Sequence, residues 1–141
     1  MTTIDFYTHC ADRFEVTARL VVKAWAQCGS VRVLTPDPAT TADLDRFLWT
    51  WPATGFVPHC RLDSTVAADT PVWVDDVMSH NGPATVLINL HASPPPFFSR
   101  FERLAEVVGM DDNEVAAGRD RWKFYKARGY EIRPHNLAER T

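Results

Sequence analysis

Three cations and a tryptophan lie close together on a helix predicted near the end of the chain. At about 100° per residue, Arg119, Lys123, Lys126 and Trp122 share about 100° of the helix surface. Gly118, one turn before Trp122, removes a side chain beside the indole ring. Cationic groups beside an aromatic ring suit an acidic peptide that ends in an apolar residue. The alternative is a solvated basic face whose tryptophan covers a sheet, and the helical spacing leaves both open.

A second tryptophan stands apart from the apolar face of an earlier predicted helix. That face is a stripe with helical spacing, formed by Leu44, Phe47, Leu48 and Trp51. Trp49 lies about 140° from Leu44, near the far side of the helix, and Pro52 and Phe56 follow in a loop. An exposed tryptophan beside a proline and a loop phenylalanine is typical of a protein interface. The alternative is that the loop folds back and covers Trp49.

Motifs for nucleotide binding are absent from the sequence. The loop after the first predicted strand, residues 8–12, has no glycine that would let backbone N–H groups approach a phosphate. Neither the glycine-rich dinucleotide motif nor the P-loop motif occurs elsewhere. The sequence therefore argues against a nucleotide cofactor.

The residues able to perform catalysis or to bind a metal are scattered. His59 and Cys60 are adjacent, but neighbours on a strand point to opposite faces. Cys10 or Cys60 would need a histidine brought close by the fold before acting as a nucleophile. Asp75 and Asp76 form an acidic pair at the end of a predicted strand, where they can hold Mg²⁺ or cap a turn. A metal-dependent hydrolase is therefore kept only as a third alternative.

Charge is distributed unevenly along a chain of 141 residues whose net charge is −3. Residues 119–141 carry a net +4, and residues 1–118 carry a net −7. A basic end on an acidic body predicts a local surface for an anionic partner, since general nucleic-acid binding needs a wholly positive face. Three widely spaced cysteines, with no long apolar run and no signal peptide, predict a cytoplasmic, soluble protein.

Strands and helices alternate along the chain. The apolar spacing predicts strands at 3–7, 31–34, 71–74, 84–90, 106–110 and 130–133. It predicts helices at 12–28, 41–51 and 112–128, and a short helix that holds Phe97, Phe98, Phe101 and Leu104. The first strand, helix and next strand are expected to form a right-handed βαβ unit. The alternation predicts one α/β domain over residues 1–141, Rossmann-like and three-layered, with a mostly parallel or mixed central sheet and helices on both faces.

Four segments together resemble the chi subunit of bacterial DNA polymerase III, an accessory subunit of the clamp loader. They are residues 44–49 (LDRFLW), 56–59 (FVPH), 86–90 (VLINL) and 119–130 (RDRWKFYKARGY), and the similarity extends loosely over the whole chain. The resemblance implies a non-catalytic adaptor in DNA replication, with no cofactor, metal ion or catalytic residue. Its implied partners are the psi subunit of the clamp loader and the acidic C-terminal tail of single-stranded DNA-binding protein (SSB). It implies no membrane contact and no sequence-specific contact to nucleic acid.

The resemblance also implies which residues bind each partner. The positions that match the psi-binding residues are Trp49, Pro52 and Phe56. The positions that match the residues binding the SSB tail are Val108, Arg119, Trp122, Lys123, Lys126 and Gly129. Arg119 would pair with the terminal carboxylate of the tail, and Lys123 and Lys126 would attract its acidic residues. Val108 and Trp122 would hold its terminal phenylalanine.

Two positions depart from the family pattern. Trp122 stands where the family has tyrosine, and Val115 stands where a lysine can contribute. A direct single-stranded nucleic-acid-binding protein is the alternative function, because basic and aromatic side chains also suit phosphates and bases.

Overall fold

The computed structural model describes residues 2–50, 59–60, 64, 70–79 and 85–139. Its strands are β1 (Thr3–Cys10), β2 (Val31–Leu34), β3 (His59–Cys60), β4 (Val72–Asp75), β5 (Val86–Asn89), β6 (Arg103–Gly109) and β7 (Ile132–Asn136). Its helices are α1 (Arg13–Cys28), α2 (Pro38–Thr50) and α3 (Asp112–Ala127), with short 3₁₀ turns at Phe98–Arg100 and Leu137–Glu139. No helix in this part of the chain is long and apolar enough to cross a membrane.

The strands form one sheet with the order β3-β4-β2-β5-β6-β1-β7. Every strand pair between described residues is parallel. The predicted α/β class and central sheet are confirmed. The two strands of the expected βαβ unit, β1 and β2, are not neighbours in the sheet, because β5 and β6 lie between them.

Two apolar cores lie on opposite faces of the sheet. Alternate residues of each strand point to opposite faces, so that Val31 and Val33 pack under α1 and α2. Leu87, Leu104 and the aromatic residues 97–101 pack instead on the α3 side. The two cores give the three layers that the sequence predicts.

Side-chain and backbone caps fix the helix ends. Asp12 accepts hydrogen bonds from the N–H groups of Phe14 and Glu15, and Gly29 closes α1 with a φ of 87°. The second helix begins earlier than predicted, at Pro38 instead of residue 41, because Asp37 accepts from the N–H of Thr40 at 2.7 Å. Proline at the first helical position costs no hydrogen bond, so Pro38 can begin α2.

Three other elements differ from the predictions. Leu104 lies in β6, not in a helix, because it pairs with Ile4 and Leu87 across the sheet. The last strand begins at Ile132 instead of residue 130, since Tyr130 still donates to the carbonyl of Tyr125 and ends α3. The short strand β3 was not predicted, because two residues carry no periodic signal.

A buried carboxylate ties α3 to the sheet. Glu106 on β6 is fully buried and accepts hydrogen bonds from Asn89, Arg121 and Tyr125. The Arg121 Nε lies 2.8 Å from the carboxylate, and Arg121 also donates to the carbonyl of Ala92. Burial raises the pKa of the Glu106 carboxyl, and the Arg121 charge and the three donors act against that rise. The network therefore holds α3 at one rotation about its axis.

Replacing Glu106 with leucine is expected to destabilise the fold by about 3–5 kcal/mol, because it leaves the buried Arg121 without its counter-ion. Urea unfolding followed by far-ultraviolet circular dichroism measures the change. Glu102→Leu, at an exposed position directly before β6 and four residues before Glu106, is the matched control and should change the stability by under about 1 kcal/mol. Equal losses in the two variants would contradict the structural role of Glu106.

Candidate functional site

A crevice opens between the carboxyl ends of β1 and β6. The two strands are neighbours, but α1 leaves β1 over one face of the sheet and α3 leaves β6 over the other. Such a reversal separates the two connections and creates a crevice where parallel α/β folds usually bind their ligands. The topology therefore makes this crevice the candidate binding site.

A pocket of about 230 Å³ occupies this crevice and is called the β1–β6 pocket below. It has apolar walls and a polar rim. The walls are formed by Phe6, Val108, Val115, Gly118 and Trp122, and the rim by Thr8, His9, Gly109 and Arg119. The pocket thus accepts an apolar group and presents a cation at its mouth.

The indole ring of Trp122 forms one wall of the pocket. It packs edge-on against Phe6, with 5.2 Å between ring centroids and 68° between ring planes. Trp122 is half-buried, whereas Val108 is 5% exposed. Gly118 permits the close approach of α3 to β6, because a Cβ there would lie 3.0 Å from a methyl carbon of Val108.

The cations of α3 divide into two groups. Arg121 is buried on Glu106, and Arg128 lies over the ring of Phe124 at 3.5 Å from its centroid. Arg119, by contrast, is exposed on the pocket rim and has no hydrogen-bond or ion-pair partner among the described residues. Its planar set of N–H donors is therefore open to an incoming carboxylate.

The remaining expected residues of this site lie beside the pocket instead of inside it. Lys123 and Lys126 are exposed on α3 and are unpaired within the described part of the chain. Gly129 has a φ of 81° and donates to the carbonyl of Lys126, which closes α3 in a Schellman motif. The structure gives Gly129 a part in ending the helix, because a left-handed φ favours glycine.

Sequence reasoning missed three rim residues, Thr8, His9 and Gly109, and one wall residue, Phe6. Phe6 reaches the pocket through the strand alternation, a signal that the sequence carries once the facing helix is known. His9 has a φ of 59°, in the left-handed region, and interrupts the regular pairing of β1 with β6. Its Nδ1 lies 3.0 Å from the hydroxyl of Thr8. A non-glycine residue in this conformation is uncommon and occurs often at binding sites.

A separate exposed aromatic lies at the end of α2. Trp49 is 53% exposed, and its ring lies 4.6 Å from that of His59, which is buried on β3. His59 in turn contacts Asp45 on α2. Trp49 is thus held off the core face of its helix, while Leu44 and Leu48 are buried. Pro52 and Phe56 lie outside the described residues.

Two of the residues considered for catalysis or metal binding, Cys10 and Asp75, are buried in the fold. Burial raises the pKa of the Cys10 thiol to about 11, so that it is protonated near neutral pH. One carboxylate oxygen of Asp75 accepts from the N–H groups of Asp76 and Val77 and caps the turn after β4. Within the described ranges, no group of histidine, cysteine and acidic residues has the arrangement of a metal site.

The family model for "DNA polymerase III chi subunit, HolC" matches residues 1–133. The chain belongs to this family. It is 33% identical to the DNA polymerase III subunit chi of Pseudomonas aeruginosa, over 97% of this chain and 98% of that protein. It is 25% identical to the Escherichia coli subunit chi over 84% of this chain and 81% of that protein. The Haemophilus influenzae subunit chi is 24% identical over 87% of this chain and 86% of that protein. Membership in this family makes the chain a DNA replication protein.

The glycine beside the pocket gives a direct test of the pocket wall in this chi-family chain. Gly118→Ala should lower the affinity for a pocket ligand several-fold, because the new Cβ pushes Val108 into the apolar cavity. Alanine also favours the helix by about 1 kcal/mol, which offsets the crowding of Val108, so the free energy of unfolding should change little. Ala116→Gly, at an exposed site on the same helix, is a control that should lose stability without losing affinity.

Proposed function

We propose that this chain is a non-catalytic adaptor that links the clamp loader, through psi, to the acidic C-terminal tail of SSB during DNA replication. The observation that carries the proposal is the β1–β6 pocket, whose apolar walls meet an unpaired arginine at the rim. Family membership supplies the biological setting in the polymerase III complex.

The pocket suits a chain end that is both apolar and anionic. An aromatic side chain placed between Trp122 and Val108 would be enclosed by apolar atoms. The α-carboxylate of the same terminal residue would then lie at the rim, within reach of Arg119. A bidentate guanidinium–carboxylate pair requires this combination of a free carboxylate and a fixed side chain. A free C-terminal phenylalanine satisfies both requirements at once.

The exposed lysines extend the positive surface beyond the rim. Lys123 lies one turn after Arg119, and Lys126 lies a further turn along α3. They face solvent, so their effect on an acidic tail is mainly long-range attraction that salt screens. Burial of a short peptide covers little area, and we expect a Kd of about micromolar order that rises with ionic strength.

The surface proposed for psi lies on the opposite side of the sheet from α3. Trp49 lies on α2, which packs on the opposite side of the sheet from α3. A psi subunit bound at Trp49 would therefore not obstruct a peptide in the β1–β6 pocket. Simultaneous binding at two separated surfaces is the requirement for an adaptor.

Arg119→Ala should weaken binding of a peptide that carries acidic residues and ends in a free phenylalanine by at least about tenfold, because the terminal carboxylate loses its bidentate partner. Fluorescence anisotropy of the labelled peptide measures the loss. Arg128→Ala, at the C-cap of the same helix, is the matched control, since it removes the same charge from a residue that lies over Phe124. It should bind nearly as well as the wild type.

The C-terminal amide of the same peptide provides the decisive comparison. It keeps the aromatic ring and removes the carboxylate, so its affinity for the wild type should fall to that of Arg119→Ala for the acid. Equal affinity of acid and amide would overturn the proposal. So would tight binding of a bare single-stranded oligonucleotide at physiological salt, since this is the result that direct nucleic-acid binding requires.

Trp49→Ala should abolish co-purification with a co-expressed psi subunit while leaving the peptide titration unchanged, because the two surfaces are on opposite faces of the sheet. Met110→Ala is the control, since Met110 is 60% exposed and lies elsewhere on the surface. Retention of psi by Trp49→Ala would remove that residue from the interface.

A further inference from the structure

A second groove lies on the α1 side of the sheet, between α1 and the strands β1 and β7. The helix packs on β2, β5 and β6, and β1 and the edge strand β7 extend beyond it. Two cavities of about 230 and 40 Å³ follow this boundary and share Tyr7, Leu20 and Lys23 as lining residues. Because these three residues line both, the two cavities adjoin, and together they are called the α1–β7 groove below.

The floor and the rim of the α1–β7 groove differ in chemistry. Aliphatic side chains form much of the larger cavity, namely Val16, Leu20 and Leu137. The charged lining residues are three cations, Arg19, Lys23 and Arg103, against one carboxylate, Asp5. On a chain whose net charge is −3, this local excess of cations selects an anionic ligand.

The Asp5 carboxylate is paired with cationic side chains, which offset its repulsion of an anionic ligand. Arg133 forms a bidentate pair with it at 2.9 and 3.0 Å, and His135 contacts the same carboxylate at 2.9 Å. Arg103 approaches it at 3.5 Å. Burial raises the pKa of Asp5, but the hydrogen bonds from Arg133 and His135 outweigh this effect and hold the pKa below its usual value. The single buried charge thus orients two partly exposed arginines and leaves a positive balance.

The helix supplies cations to the opposite wall of the groove. Lys23 is exposed and has no carboxylate partner in the described part of the chain. Arg19 is exposed as well and pairs with Glu15 on the same helix at 2.7 Å, a contact of the kind that solvent weakens. Anionic groups of a ligand in the groove would therefore meet cations from α1 on one side and from the sheet on the other.

The groove favours a peptide over a nucleic acid. The imidazole of His135 stacks on Tyr7 with 4.6 Å between centroids and 13° between planes, so one face of the tyrosine ring is already covered. A base would lack the open aromatic platform on which single strands are usually stacked. The aliphatic floor suits instead an apolar side chain flanked by acidic residues.

We propose that the α1–β7 groove is a second peptide-binding site, which takes an internal acidic segment with an apolar side chain. It is independent of the β1–β6 pocket, because Phe6 and Tyr7 are successive residues of β1 that point to opposite faces of the sheet. The ligand needs no free carboxyl terminus, since the cations are distributed along the groove and do not converge on one point. Both sites can be occupied in one molecule.

The test uses a peptide of acidic residues around one leucine, acetylated at its N-terminus and amidated at its C-terminus. The blocked ends remove the carboxylate that the β1–β6 pocket would need. Wild type and Arg119→Ala should bind this probe equally, and the double variant Arg19→Glu/Lys23→Glu should bind it at least about tenfold more weakly. Arg46→Glu, a charge reversal at a site 74% exposed on α2, is the control and should keep the wild-type affinity.

Amide chemical shifts provide a readout that does not depend on a variant. The blocked peptide should shift the signals of Lys23 and His135 and leave the indole N–H of Trp122 unchanged. Loss of binding in Arg119→Ala, shifts confined to Trp122, or unchanged affinity in the double variant would each overturn the second site. An oligonucleotide that binds with these shifts while the peptide does not would overturn the peptide assignment. None of these results depends on whether an SSB tail occupies the β1–β6 pocket.

Discussion

The rotation of α3 about its axis depends on the buried carboxylate of Glu106. Asn89, Arg121 and Tyr125 donate to it from β5 and α3, so one charge joins two strands to the helix. A buried carboxylate that loses these donors would carry a large desolvation cost, and the helix cannot turn without breaking them. With Arg121 facing the sheet, Trp122 lies on the flank of α3, against Phe6 of β1. The β1–β6 pocket exists because of this one orientation.

The same interaction decides which cations of α3 are available to a ligand. Arg121 and Arg119 have the same charge and are two residues apart, but one is 4% exposed and the other faces solvent. Arg128 is likewise committed, to the ring of Phe124. A similar rule applies on the other face, where Asp5 fixes Arg133 and Lys23 stays unpaired. Buried carboxylates thus hold some of the basic side chains, such as Arg121 and Arg133. Other basic side chains, such as Arg119 and Lys23, stay exposed to a ligand.

Prediction from sequence succeeded where the signal is local. The limits of α1 and β2 follow from Asp12, Gly29 and a short apolar run, all readable within a few residues. It failed where a distant contact decides, as for Leu104, whose spacing from Phe98 and Phe101 mimics a helix while its partners are in β1 and β5. It also failed for the start of α2, which was predicted at residue 41 although the helix begins at Pro38, after the capping residue Asp37.

The sequence by itself determined the α/β class, most of the elements, the basic face of the last helix and the position of Trp49 off its apolar stripe. Periodicity and capping are properties of neighbouring residues, so they survive without knowledge of the fold. Only the tertiary structure decided that β1 lies beside β6, that their carboxyl ends enclose a pocket, and that Phe6 and His9 belong to it. Those facts depend on pairings across about a hundred residues and on a buried Glu106–Arg121 contact, which composition and spacing do not encode.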